Sequence, residues 1–263
     1  MQGIALLREH GVEPARLTAE LLLGHALGRD KVYLLTHSGE ALSELGWIHY
    51  GRYLHERTAG KPVQYILGKQ EFFGREFWVK PGVLIPRPET EHLVEYILGT
   101  PEARGKMVDA GVGSGTIAVT LAAELGRAVV GVDRETEPLA VTRENARRHG
   151  ARVELFQSDW LGALRPGSVD VLVSNPPYIA ERDRAGLQRE VKEWEPAAAL
   201  FAGEDGLAAY TVLARQAWEV VRPGGYLALE IGSERAAEYF REYREVRISP
   251  DLAGRPCLLT ARR

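Results

Sequence analysis

The residue types best placed for chemistry in this 263-residue chain stand together in Ser174-Asn175-Pro176-Pro177-Tyr178. A side-chain amide, two prolines and a phenol present one amide oxygen, one backbone carbonyl and two flat surfaces. That set suits a planar nitrogen group. Methylating an amide or an aromatic amine is slow because the nitrogen lone pair is delocalised. The Asn175 oxygen and the Pro176 carbonyl can accept both N–H hydrogens. This aims the lone pair at an electrophilic carbon and stabilises the positive charge that develops on nitrogen. Pro177 and Tyr178 can then sandwich the planar group. No strong general base is needed, because the proton can leave once the nitrogen is quaternised, and catalysis is mainly positioning. The competing reading is a plain strand-ending turn, since Asn-Pro is ordinary turn chemistry.

A second constellation lies upstream. Met107-Val108-Asp109-Ala110 is a short apolar strand, and Gly111-Val112-Gly113-Ser114-Gly115 follows it before a helix. Glycines let the backbone pass close to a ligand and accept φ > 0, and a helix start supplies free N–H groups. Asp133 follows about twenty residues on, at the end of the next strand, where a carboxylate can grip ribose hydroxyls. Those two features alone also fit a dinucleotide. Three others favour S-adenosylmethionine. The loop is Gly-x-Gly-x-Gly, not Gly-x-Gly-x-x-Gly. Asp109 offers an acid to a cationic group. Asp159-Trp160 offers an adenine site, with a carboxylate for the exocyclic amine and a ring or backbone for the base. Against this, Asp109 also suits a turn, and Trp160 also suits a core.

The elements that must position these residues follow from periodicity. Residues 1 to about 70 read as a small helical bundle, with helices around Ile4–Leu7, from Pro14 to Gly28, from Lys31 to His37 and from Ala41 to Thr58. His37, His49 and His55 fall here at spacings that match no metal motif. Phe72 to Val79 surrounds Gly74 with aromatic residues and reads as a β-hairpin. Leu84-Ile85-Pro86-Arg87-Pro88-Glu89-Thr90-Glu91 is extended and then enters a helix; its acids suit the helix dipole, and its rigid prolines equally suit a loop over a ligand. From Lys106 onward strands and helices alternate, with strands at 107–110, 128–132, 153–156, 169–173 and 226–231 and two more near 246–248 and 258–261. A helix over 207–221 is expected to turn Leu213 and Trp218 inward and to stop at Pro223-Gly224-Gly225. Such alternation implies a mostly parallel, doubly wound sheet covered by helices on both faces, with ligands at the strands' carboxyl ends.

Composition narrows the function classes. Net charge is −3, with no global basic field of the kind that drives nonspecific nucleic-acid binding. The single cysteine, Cys257, forbids an intrachain disulfide and argues against a cysteine-based zinc site. No run approaches the roughly 18 apolar residues of a membrane helix, and the amino terminus lacks a signal-peptide pattern. A cytoplasmic protein with no membrane partner and no metal is expected.

The stretches Leu84 to Glu91, Asp109 to Gly115, Val132-Asp133-Arg134, Gln157-Ser158-Asp159-Trp160, Val173 to Ile179, Glu195-Pro196 and Arg222-Pro223-Gly224-Gly225 together resemble the HemK/PrmC family of release factor glutamine methyltransferases. The resemblance spans nearly the whole chain. Asn-Pro-Pro-Tyr alone is shared with adenine and guanine amino-methyltransferases; joined to Ile-Pro-Arg-Pro-Glu-Thr-Glu it is more specific. The resemblance implies a Rossmann-like class I S-adenosylmethionine-dependent methyltransferase domain at 83–263, with a mostly parallel seven-stranded α/β sheet. A helical substrate-docking domain at 1–69 and a β-hairpin linker at 70–82 precede it. It implies methyl transfer to the glutamine amide of the Gly-Gly-Gln motif in class-1 peptide-chain release factors. It places the cofactor on Asp109, Gly111, Val112, Gly113, Ser114, Gly115, Asp133, Asp159, Trp160 and Asn175. The target amide falls on Asn175, Pro176, Pro177 and Tyr178, with Asn175 and Pro176 catalytic. It lines the active site with Arg87 to Glu91 without giving these residues individual roles. Two rivals stay open: an amino-methyltransferase acting on DNA adenine or ribosomal RNA, and a non-catalytic adaptor that binds release factors.

Overall fold

The structure is a computed structural model that describes residues 2–101, 104–251 and 253–263. The chain divides into two compact units, 1–69 with 188–194 and 70–187 with 195–263. Residues 188–194 thus join the first unit although the second surrounds them in sequence.

The first unit is all helical: Gln2–Glu9, Ala15–Leu27, Lys31–Thr36, Glu44–Thr58, Val63–Leu67 and the returning Arg189–Trp194. Local chemistry sets the ends. Asp30 accepts the Tyr33 N–H and Ser43 accepts the Gly46 N–H as N-caps. Gly28 closes its helix in the left-handed region. The Ser43 cap moves the fourth helix start from the expected Ala41 to Glu44. The short helix after Pro62 was not anticipated; Pro62 stands at its N-cap, where a proline that ends one helix can introduce the next. Leu7, Leu22, Tyr50, Leu54 and Ile66 share the core. Arg57, nearly buried, pairs with Glu190 of the returning helix at 2.5 Å.

The second unit opens on a hairpin of β1 (Lys69–Phe72) and β2 (Arg75–Trp78). Phe73 and Gly74 at its tip both have positive φ, as a two-residue hairpin loop that matches strand twist requires. Seven further strands follow: β3 (Met107–Ala110), β4 (Val129–Asp133), β5 (Val153–Gln157), β6 (Val169–Ser174), β7 (Val221–Glu230), β8 (Arg244–Pro250) and β9 (Pro256–Arg262). They form one sheet in the order β5-β4-β3-β6-β7-β9-β8. All pairs are parallel except those made by β9. Alternate residues feed two cores: Val108, Ala110, Leu172, Leu227 and Leu229 into one, and Met107, Val171, Val173 and Ala228 into the other. This period-two split is what a sheet buried on both faces produces. The strand order reverses between β3 and β6, so their carboxyl ends flank a crevice.

In the second unit, three stretches differ from the sequence expectation or go beyond it. Trp218 lies at the rim, not inside: it is partly exposed, edge-on to Tyr243 and under the Arg263 guanidinium, while Leu213 is buried. Pro223-Gly224-Gly225 belongs to β7, because Gly224 N–H donates to the Arg263 carbonyl and the Gly225 carbonyl accepts from Arg263 N–H. The stretch after Tyr178 is built from a 3-10 turn at Glu181–Gly186, helices at Arg189–Trp194 and Ala197–Leu200, and a bridge between Ile179 and Phe201.

Candidate active site

A solvent-open cleft with about 1090 Å³ of free space lies at the carboxyl ends of β3, β4, β5 and β6. The glycine loop, Asp133, Asp159, Trp160, Asn175 and Pro177 line it, joined by Arg87 and Thr90. Of the residues singled out from sequence, Asp109, Gly115, Pro176 and Tyr178 are not among its lining, and of Arg87 to Glu91 only Arg87 and Thr90 are.

The loop owes its shape to its own glycines and to the next helix. Gly111, Gly113 and Gly115 all have positive φ. A Cβ on Gly115 would sit 2.7 Å from Thr142 Cγ2, so that position needs glycine on both backbone and packing grounds. Thr142, in the helix Thr136–Arg148, donates to the Gly113 carbonyl at 3.0 Å. Asn145 from the same helix is fully buried. Its Nδ2 donates to the carbonyls of Ser114 and Trp78, and its Oδ1 accepts the Trp78 N–H. One amide therefore ties the hairpin to the glycine loop. Neither Thr142 nor Asn145 carried a sequence signal, because a helical Asn reads as neutral until its burial is known.

The acids differ in their surroundings. Asp133 accepts N–H groups from Gly113 and Glu135, each at 3.1 Å. Burial nevertheless pushes its carboxyl above the usual range. Asp109 is fully buried beneath the loop, where Oδ2 accepts the Ala118 N–H at 3.1 Å and Oδ1 has no hydrogen-bond partner. Burial raises its pKa well above the ordinary value, with the Asp133 charge adding to the shift. Asp159 is exposed at the cleft wall. Trp160 is partly buried with φ of +52°, and its ring edge approaches Gly111. A bulky residue held in that region is uncommon, and such strain gathers at ligand sites.

At the end of β6, Ser174 donates to the Ala110 carbonyl and so joins β6 to β3 beyond the ladder. Asn175 Nδ2 donates to Thr90 Oγ1 at 2.9 Å. The other branch of the amide, Oδ1, is thereby left as the acceptor. The Tyr178 ring lies against Gly232, where a Cβ would come within 2.5 Å of it, and its hydroxyl approaches Glu230 Oε1 at 3.4 Å. Burial and the Glu230 charge together push the phenol up. Glu230, the last residue of β7, is almost fully buried and its carboxyl is pushed up to about 7, chiefly by desolvation.

The loop from Leu84 to Glu91 is fixed by acids at a distance in sequence. Buried Glu195 pairs with the Arg87 guanidinium at 2.5 Å and accepts the Ile85 N–H at 3.0 Å. Glu91 accepts the Phe73 N–H at 2.8 Å and so holds the hairpin tip. A buried carboxylate needs such partners; Glu195-Pro196 is among the stretches that carry the resemblance, but the role of Glu195 shows only in these contacts.

The residues fit a cationic nucleoside ligand. The glycine loop leaves a cradle with no Cβ at Gly111 or Gly113, Asp133 stands at the β4 end, and an orphaned carboxylate oxygen of Asp109 lies beneath.

Comparison with known proteins agrees with this geometry. Residues 1–68 match the family model of the PrmC N-terminal domain, and residues 88–192 match the Methyltransferase small domain model. A protein of Koribacter versatilis named release factor glutamine methyltransferase is 44% identical over 255 residues, covering 94% of this chain and 91% of its own. One of the same name from Moorella thermoacetica is 42% identical, covering 100% of this chain and 96% of its own. Among solved structures, a methyltransferase from Pyrococcus furiosus shares the fold with a TM-score of 0.51 at 18% identity, over 81% of this chain and 98% of that one.

Proposed function

The chain belongs to the release factor glutamine methyltransferase family, and from that premise we propose that it methylates the side-chain amide nitrogen of the glutamine in the Gly-Gly-Gln motif of a class-1 peptide-chain release factor. S-adenosylmethionine is the methyl donor and supplies an electrophilic methyl group on a sulfonium. The chain's own residues do the rest. Gly111 to Gly115, Asp133, Asp159 and Trp160 hold the donor's nucleoside half. Asp109 supplies negative charge beneath the loop for its cationic half.

The single observation that carries the reading is the Asn175 amide in the cleft wall with its Nδ2 tied to Thr90. Asn175 Oδ1 and the Pro176 carbonyl accept the two N–H hydrogens of the substrate amide. Its lone pair is then released from the amide plane toward the methyl, and the positive charge on nitrogen is stabilised as it forms. Pro177 offers a flat wall to the amide. Tyr178 packs on Gly232. The cleft positions the amide; no residue has to remove the proton before transfer.

The test incubates the protein and radiolabelled S-adenosylmethionine with a class-1 release factor, the same factor carrying alanine for the motif glutamine, duplex DNA and ribosomal RNA. Label on the intact factor alone, lost in the alanine factor and with Asn175→Ala enzyme, is the expected result. Label on a nucleic acid would replace this reading with an amino-methyltransferase of bases. Donor binding without label on any substrate would replace it with the adaptor.

A further inference from the structure

We infer that Thr90 and Glu230 are positioning residues that set which way the Asn175 amide faces, an inference that rests on the methyl-transfer role of Asn175 proposed above. Three separate elements bring the groups together. Asn175 follows β6, whose Ser174 pairs with Leu229 of β7, so Glu230 stands beside it across the ladder. Thr90 ends the 3-10 turn Pro88–Thr90 and is buried. Asn175 Nδ2 meets Thr90 Oγ1 at 2.9 Å, the Tyr178 hydroxyl approaches Glu230 Oε1 at 3.4 Å, and the Thr90 hydroxyl favours the ionised Glu230 carboxylate.

A hydroxyl carries one hydrogen. When the Thr90 hydrogen turns to the ionised Glu230, the Thr90 oxygen is available to Asn175 only as an acceptor. The Asn175 NH2 must face Thr90, which turns Oδ1 toward the substrate. When Glu230 is protonated the order reverses. Its own O–H can donate to Thr90, the Thr90 hydrogen can go to Asn175, and the amide turns its NH2 into the cleft. An NH2 there opposes the N–H groups of the substrate instead of accepting them.

Several groups decide the charge of Glu230. Arg87 favours the ionised form and Glu89 opposes it; both come from the loop that carries Thr90. Tyr178 donates to Oε1. Tyr210 donates to the Glu230 backbone carbonyl at 3.2 Å. Cys257, on the neighbouring β9, feels the Glu230 charge, and Leu258 of that strand pairs with Glu230. Glu230 Oε2 has no hydrogen-bond partner, and burial dominates the balance.

The experiment measures kcat and KM of the whole enzyme on a release factor from about pH 6 to about pH 9, for wild type, Thr90→Ser, Thr90→Val and Glu230→Gln. Wild-type kcat should fall as pH drops below about 7. Thr90→Ser keeps the hydroxyl and should keep both rate and profile. Thr90→Val should lose roughly tenfold to a hundredfold in kcat, with the KM for the factor little changed. Glu230→Gln should abolish the acid limb. Wild-type kcat in Thr90→Val, or an acid limb that persists in Glu230→Gln, would overturn the inference and leave the glutamine reading intact. A wild-type enzyme that labels no release factor would sink that reading and this inference with it. Should Thr90→Val fail to fold, the Glu230→Gln profile decides alone.

Discussion

Glu230 makes stability, as well as turnover, depend on pH, and the sign follows from its environment. Its carboxyl stands at about 7 in the folded chain against an ordinary 4.5. Between those values the native chain holds a proton that the unfolded chain releases. The contribution is therefore fully present below about pH 4.5 and is lost as pH rises through about 7. The loss is on the order of 3 kcal/mol. Asp109, buried with its acid also raised, acts with the same sign. Glu230→Gln should flatten part of this slope, so that its advantage over wild type in urea midpoint grows from pH 5 to pH 8. An equal fall in both proteins would locate the slope elsewhere. Glu195 anchors the loop through its partners. Glu195→Ala strands the Arg87 guanidinium and the Ile85 N–H together. A loss of about 3 kcal/mol is expected, with a lower kcat/KM, and an unchanged unfolding curve would deny it an anchoring role.

The helix Thr136–Arg148 works as a brace for the glycine loop and not merely as cover for the sheet. Thr142 and Asn145 lie three residues apart on one face, and both reach loop carbonyls. Asn145→Ala should remove three hydrogen bonds at once and weaken donor binding, measured by titration calorimetry, although Asn145 lines no part of the cleft. Unaltered donor affinity would mean that the loop keeps its shape unaided. Gly115→Ala attacks the same contact from the other side. Its Cβ would drive into Thr142 at a φ of +87°, so a larger loss of donor affinity than for Asn145→Ala is expected. The Leu84 to Glu91 loop has its own brace in Glu195, and the hairpin tip has Glu91. The glycine loop and the hairpin tip are thus held by polar side chains from helices, and the Leu84 to Glu91 loop by Glu195 in the bend between two short helices, which keeps a positioning site rigid.

The two units have separate cores, one of helices and one spread over both faces of the sheet. Differential scanning calorimetry should resolve two transitions. S-adenosylmethionine at about a hundred times its Kd should raise only the transition of the second unit, by roughly 2.7 kcal/mol. Arg57→Ala, which breaks the pair with Glu190, should lower only the other. A donor-induced shift of both transitions would show that the units unfold together. Among the described residues no helix is long and apolar enough to cross a membrane.

The alternation of strands and helices, the glycine loop, Asp133 at the end of β4 and Asn175 at the end of β6 were legible from residue order. Hydrophobic period and turn chemistry are local properties, and a doubly wound sheet sends those strand ends to one edge. The place of Trp218 was not legible, because a side chain at the margin of an apolar face is placed by what packs beside it. The short helices between Ile179 and Leu207 were not, because segments of four to six residues carry too little period to read. Asn145 and Glu230, and the roles of Thr90 and Glu195 within the stretches that carry the resemblance, became visible only in three dimensions. Asn175 and Thr90 are 85 residues apart, and Arg87 and Glu195 are 108 apart. A polar side chain declares its role through burial and through the partner that burial obliges it to find, and only the folded chain supplies both.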